Sequence, residues 1–303
     1  MEKKLITISG PTASGKTDLS ITLALNLNCS VISSDSRQFY KEMTIGTAVP
    51  SKYELSKVKH YCIQHKSIND NYTIKDFQIE ALNIIKNELK INNNIIMVGG
   101  SGMYMDALIY GLDSFPEIIP EIRAKISSQY KELGIKYLQN KLKNLDPEYF
   151  LKVDIHNHRR LIRALEVSLS SNKPYSSFLN NKKVNHDFKI INTAINCDRD
   201  ILYERINDRV DEMLHKGLLN EVKGLVKFKN LRSMNTVGYK ELFLYLENKT
   251  SFDDAVNEIK KNSRRFAKKQ MTWLRNKKDI KWIKNNIEID NFINLINSNS
   301  LKH

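Results

Sequence analysis

The sequence predicts an α/β protein: a parallel sheet built around a phosphate loop, an inserted all-helical domain, and a helical C-terminal part. Three observations lead there. GPTASGKT, Gly10 to Thr17, fits G-x-x-x-x-G-K-[ST] at every constrained position, directly after a buried-strand pattern and directly before a helical one. Strand and helix patterns then alternate up to about Ser114, which argues for right-handed crossovers in a parallel sheet. From about Phe115 to Lys183 the periodicity is helical with no strand candidate, before a strand pattern returns.

Each element follows in order. KKLITISG places a short buried strand at Lys4–Ser9, and DLSITLALNLN after the loop has apolar residues at helical spacing. CSVISSDS, Cys29 to Ser36, reads as the second strand, ending in Asp35; Gly46 and Pro50 mark turns beyond it. A helix is expected from about Thr73 to Lys90. NNIIMVGGSGMYMDALIYGL reads as a third strand, a glycine-rich turn and another helix. FQIEALNII and YMDALIYGL carry their aromatics as core rather than as stacking platforms. FPEIIPEIRAK through DIHNHRRLIRALEVSLSSN is helical, and SNKP with SSFLNNKKVNHD reads as loop. FKIINTAINCD returns a strand to the sheet, and DILYERINDRVDEMLHKGLLNEVKGLV follows as a helical pair. The rest is helical and increasingly basic, down to a frayed INSNSLKH tail. The expected domains are residues 1–114 with 184–303, and 115–183, with hinges near Ser114 and Lys183. No internal repeat interrupts this plan.

The chain has 303 residues, 41% hydrophobic and 27% charged, ordinary for a soluble globular protein with a real core. A formal charge of +14 favours a polyanionic partner such as nucleic acid, although abundant Lys, Asn and Ile also fit compositional drift. Cys29, Cys62 and Cys197 are far apart and show no structural-zinc spacing; His156 and His158 lack further ligands at useful spacing. No signal segment or membrane-length apolar run is present, so a cytoplasmic monomer without membrane attachment is expected.

The loop's glycines let successive N–H groups turn in around an anion, Lys16 adds a point charge, and the following helix adds its positive end. The strand IIMV ends in GGSG rather than in the acidic residue of a nucleotide hydrolase. The best strand-end carboxylate is Asp35, which a sheet of this kind brings to face the loop across the cleft. Two reactions fit. One is phosphoryl transfer, with Asp35 taking a substrate hydroxyl proton. The other is displacement of diphosphate from an alkyl diphosphate, with the loop meeting the leaving group's charge.

GPTASGKT, DSRQFYKEMTIGTAVPS, GGSGMYMDALIYGL, DPEYFLKVDIHNHRRLIRALEV, RINDRVDEMLHKGLLNEV, VGYKEL and SRRFAKKQMTWLR together resemble the tRNA dimethylallyltransferases, bacterial type, in family order over about Gly10 to Arg275. The resemblance implies transfer of a dimethylallyl group from dimethylallyl diphosphate to the N6 amine of the adenine 3′ of the anticodon, in tRNAs reading codons that start with U. It implies that the loop residues Gly10, Pro11, Thr12, Ala13, Ser14, Gly15, Lys16 and Thr17 hold the diphosphate, with Thr17 also on magnesium. Asp35 matches the proposed general base, and Arg209 an arginine supporting diphosphate chemistry. Ser36, Arg37 and Gln38 complete the stretch that meets tRNA, with Gln38 a candidate reader of the adenine edge. Ser101 stands where the family usually has Thr. Arg123 and the run Arg159, Arg160, Leu161, Ile162 and Arg163 match tRNA contacts of the insertion, which is expected to close over the anticodon arm.

On SRRFAKKQMTWLR, residues Lys261, Arg264, Arg265, Lys268 and Arg275 share one helical face; Phe266, Gln270, Trp273 and Leu274 are expected inward. Arg264 and Lys268 are the phosphate-contact candidates, against a merely solvated face. The chain departs from the family pattern at His60–Ile68 and at His158. The rival readings are an adenylate isopentenyltransferase using free AMP, ADP or ATP, a small-metabolite kinase, and a non-catalytic RNA-binding module.

Overall fold

A computed structural model describes residues 2–179 and 184–298. The elements in chain order are β1 (Lys4–Ser9), α1 (Lys16–Leu27), β2 (Val31–Ser33), α2 (Lys52–Lys57), β3 (His60–Tyr61), α3 (Ile74–Ile91), β4 (Asn94–Gly99) and α4 (Gly102–Tyr110). Then come α5 (Pro120–Leu145), α6 (Pro147–Phe150), α7 (His158–Ser171), β5 (Lys189–Asn196), α8 (Arg199–His215), α9 (Leu218–Gly224), α10 (Tyr239–Leu246), α11 (Phe252–Arg275), β6 (Lys281–Lys284) and α12 (Ile289–Asn297). The chain divides into two compact units, residues 1–110 with 185–303, and 111–184. Lys183 and residues 299–303 of the tail lie outside the described residues.

In the first unit all six strands run parallel, in the order β3-β2-β4-β1-β5-β6. β1 lies inside the sheet between β4 and β5, so Leu5, Ile6 and Ile8 are fully buried on both faces. This is why KLITIS reads as a continuous apolar run rather than an alternation. One face packs Ile6, Ile8 and Ile96 against α1 and α12; the other packs Leu5, Ile32 and Met97 against α3 and α4. Helix α3 begins where Thr73 accepts from the Asp76 N–H and Asp76 accepts from the Thr73 N–H, a reciprocal cap that satisfies two orphan donors.

Three sequence expectations shift. β2 spans only Val31–Ser33, because the next residues turn: the Ser34 N–H bonds the Val98 carbonyl, and the Asp35 side chain accepts from the Arg37 N–H. Asp35 therefore stands in a turn just past the strand end. The strands β3 and β6 escape the periodicity reading. β3 has two residues, and in KWIK of β6 only Ile283 is buried, its lysines dressing a sheet edge.

The second unit is helical. α5 is broken at Gly134, whose φ of 71° leaves the helical region. Ile126, Leu138, Leu142, Leu161 and Leu165 form its core. Asn157 caps α7 by accepting from the Arg160 N–H, and His158 stacks on Tyr130 with centroids 5.1 Å apart.

Candidate active site

The phosphate loop leaves β1 at its carboxyl end and closes into α1. Gly15 sits at φ 84°, where a side chain would strain the backbone, and Ala13 adopts φ 62° despite its Cβ. Thr17 lies in the first turn of α1 on the wall of a cavity of about 590 Å³. Lys16 lies deep in the site and donates to the Pro11 carbonyl at 2.6 Å. Burial, with repulsion from Arg209, lowers its pKa to about 8, against the attraction of Asp35 and Cys197. Arg209 comes from α8 and donates to the Thr12 hydroxyl at 3.2 Å; burial pulls its pKa down and Asp35 opposes that. Asp35 is thus near enough for its charge to bear on both cations. The Ser14 hydroxyl is buried without a hydrogen-bond partner. A phosphate loop at a helix N-terminus with two half-buried cations beside it suits a phosphate-bearing ligand.

The loop is stitched to a distant helix. Gln270 of α11 accepts from the Thr12 N–H at 3.0 Å and donates to the Gly100 carbonyl at 2.9 Å. It therefore bridges the phosphate loop and the GGSG turn. That turn has no room for larger residues: a Cβ on Gly99 would fall 2.2 Å from the Ser34 hydroxyl, and one on Gly102 would strike the Trp273 ring. Ser101 accepts from the Ser36 N–H at 3.2 Å, which fixes the turn bearing Asp35.

A second brace lies behind that turn. The Glu221 carboxylate accepts from the N–H groups of Thr44, Ile45 and Gly46 and from the Tyr239 hydroxyl, at 2.6–3.0 Å. The loop so held offers the Thr47 and Ala48 carbonyls to the Gln38 amide, whose oxygen accepts from Ser33. These bonds hold the Gln38 side chain and position the 35–38 turn at the wall of the cavity. Arg37 likewise donates to the Ser233 and Asn235 carbonyls.

The cavity joins unlike walls. The loop, Asp35 and Arg209 make it polar at one side, while Ile206, Val210, Met213, Ile259 and Trp273 supply apolar surface. An open hollow of about 900 Å³ shares Lys16, Thr17, Pro50 and Arg209 with it, so these four residues lie where the two spaces meet. The arrangement suits a ligand with an anionic head and a small apolar tail, beside a carboxylate able to take a proton.

Residues 38–277 match the family model described as IPP transferase. The chain belongs to the IPP transferase family. It is accordingly a transferase. A relative from Flavobacterium johnsoniae named tRNA dimethylallyltransferase is 49% identical, covering 98% of each chain. One of the same name from Christiangramia forsetii is 48% identical over 98% of this chain and 99% of its own. The solved tRNA isopentenylpyrophosphate transferase of Bacillus halodurans shares 34% identity and a TM-score of 0.70 over 97% of this chain and 94% of its own. A eukaryotic dimethylallyltransferase acting on tRNA shares 27% identity and a TM-score of 0.80 over 93% of this chain and 74% of its own.

The other residues expected from the IPP transferase resemblance divide. Arg159 and Arg160 are exposed, Arg163 lies over the Phe115 ring, and Ile162 is half-buried. Leu161 is fully buried in the core of its unit, so its side chain packs and offers no contact surface. Arg123 pairs with Glu166 at 2.9 Å. On α11, Lys268 is exposed, whereas Arg264 is half-buried and donates to Asn207. Gln270 and Leu274 do turn inward, but Phe266 is 46% exposed and borders the cavity. Sequence reasoning missed the parts played by Gln270 and Glu221. Their positions were legible as an inward polar residue and a helical acid, but their partners were not.

Proposed function

We propose that this enzyme transfers the dimethylallyl group of dimethylallyl diphosphate to the exocyclic N6 amine of the adenine 3′ of the anticodon, in tRNAs reading codons that start with U. The observation that carries the reading is the phosphate loop with half-buried Lys16 and Arg209 lining, together with Asp35, a cavity that also has apolar residues in its wall. The names of the relatives support it.

The carbon–oxygen bond to diphosphate breaks as the carbon–nitrogen bond to adenine forms. Adenine's amine is a poor nucleophile, and its proton turns acidic only as that bond develops. A carboxylate held on it therefore acts in the transition state, where such groups contribute about 10²–10⁴-fold. Asp35 is that group, and it takes the amine proton. Lys16, Arg209 and the loop N–H groups meet the charge growing on the departing diphosphate. The apolar wall receives the five-carbon group. Magnesium fits the donor set: Thr17 offers a hard hydroxyl oxygen and the substrate would offer phosphate oxygens, the mixed coordination this ion prefers. Bound there, it would neutralise diphosphate charge. The adenine must leave the anticodon-loop stack, at a cost of a few kcal/mol. Exposed Arg159, Arg160 and Lys268 supply cations for tRNA phosphates.

The test offers radiolabelled dimethylallyl diphosphate and magnesium with unmodified tRNA reading UUU, and in parallel with AMP. Label is expected in tRNA alone. Label in AMP alone would make this an adenylate prenyltransferase, and ATP consumption without label would make it a kinase.

A further inference from the structure

Away from the phosphate loop, three side chains with metal-ligand chemistry converge. Cys62 and His65 stand three residues apart in the turn after β3, and Glu80 faces them from α3. One ligand atom from each lies within 4.8 Å of the other two. Cys62 is 4% exposed. Both ring nitrogens of His65 are shut off from solvent; Nδ1 has no hydrogen-bond partner, and Nε2 has only the Glu80 carboxylate, 3.4 Å away. A buried polar atom without a partner is rare in a folded protein and calls for a ligand or an ion.

The surroundings are arranged for that use. Glu80 spends its Oε2 on the Tyr72 hydroxyl at 2.8 Å and on the Lys66 ammonium at 3.1 Å. Its Oε1 is left directed at Nε2 of His65, 3.4 Å away. One carboxylate oxygen held by outer partners and the other aimed into the cluster is how a ligating carboxylate is oriented. The competing explanation, a neutral His65 donating its Nε2–H to Glu80, still leaves the buried Nδ1 without a partner.

We propose that Cys62, His65 and Glu80 bind one divalent zinc-type cation, with water in the fourth position. Sulfur, imidazole and carboxylate together select zinc or its analogue cobalt over magnesium. Binding forms the metal–sulfur bond and releases the thiol proton to solvent. The cation's two charges are balanced by thiolate and carboxylate, so Lys66 keeps its pairing with Oε2. The site braces the back of the 35–38 turn, because His65 and Tyr72 both pack edge-on against Phe39, at 5.6 and 5.3 Å.

The test is a cobalt(II) titration of the full chain after chelator treatment. One equivalent is expected to give a thiolate-to-cobalt charge-transfer band in the near ultraviolet. Zinc should then displace the cobalt and raise the thermal unfolding midpoint. Cys62→Ser should abolish the band, Tyr72→Phe should weaken affinity about tenfold, and Cys29→Ser should change neither. Absence of the band in the unmodified protein would overturn the site, and that measurement needs no variant to fold. A band surviving in Cys62→Ser would overturn it as well.

Discussion

Replacing Gln270 with alanine removes the two hydrogen bonds that tie Thr12 to Gly100. Each such bond contributes about 1 kcal/mol net, and the buried Gly100 carbonyl is left without its donor, so the loss is about 2–3 kcal/mol. Because the Thr12 hydroxyl also receives Arg209, the phosphate loop and its arginine loosen together. Felt fully in the transition state, that loss lowers kcat/KM for the diphosphate substrate about 30- to 160-fold. A partner substitution sharpens the test. A Cβ on Gly100 would sit 2.2 Å from Nε2 of Gln270, so Gly100→Ala expels the same amide. With alanine at 270 that collision is gone, and the Gly10 carbonyl at 3.2 Å becomes the nearest contact. Steady-state kinetics on the two single variants and the double variant should therefore show strong non-additivity, a coupling of about 1 kcal/mol or more. Losses that simply add, or a Gln270→Ala enzyme with near-normal kcat/KM, would refute the bridge.

Other expectations are equally concrete. Asp35→Asn should lower kcat about 10²–10⁴-fold in single-turnover assays while tRNA affinity by filter binding stays within a few-fold. Lys16 in the free enzyme carries its charge below about pH 8 and loses it above. KM for the diphosphate substrate should then be flat at lower pH and climb toward about tenfold per unit above it, and Lys16→Gln should flatten the profile. Glu221→Gln breaks up the carboxylate clamp on residues 44–46, so kcat should fall more than KM rises, with stability by denaturant unfolding reduced by about 2 kcal/mol. Lys268→Ala should weaken tRNA binding and reduce its salt slope by about 0.7–0.9; an unchanged slope would make Lys268 a solvated surface residue.

Much of this was readable locally. GPTASGKT is a contiguous loop, KLITIS a contiguous buried run, and Thr73 with Asp76 a cap within one turn, so neighbouring residues suffice to specify them. What escaped depended on partners far off in the chain. Gln270 reads only as an inward polar residue, since its acceptor and donor lie 170 and 258 positions away. Glu221 sits in an ordinary amphipathic helix and gains its part from a loop about 175 positions earlier. Phe266 was assigned inward from helical spacing, yet the cavity beside α11 leaves it partly open. The two-residue β3 and the lysine-flanked β6 have too little pattern to register, because edge pairing asks for backbone groups rather than for side chains of one kind.

The bridge from Thr12 to Gln270 also bears on how the protein is made. The phosphate loop leaves the ribosome well before α11, and the residue that locks it is synthesised 258 positions later. At about 5–20 residues per second, the loop waits roughly 10–50 s for its anchor. A nascent or truncated chain ending before α11 carries every residue of the phosphate loop and none of its lock. Catalytic competence arrives late in synthesis, and full turnover becomes a report that translation has passed the end of that helix.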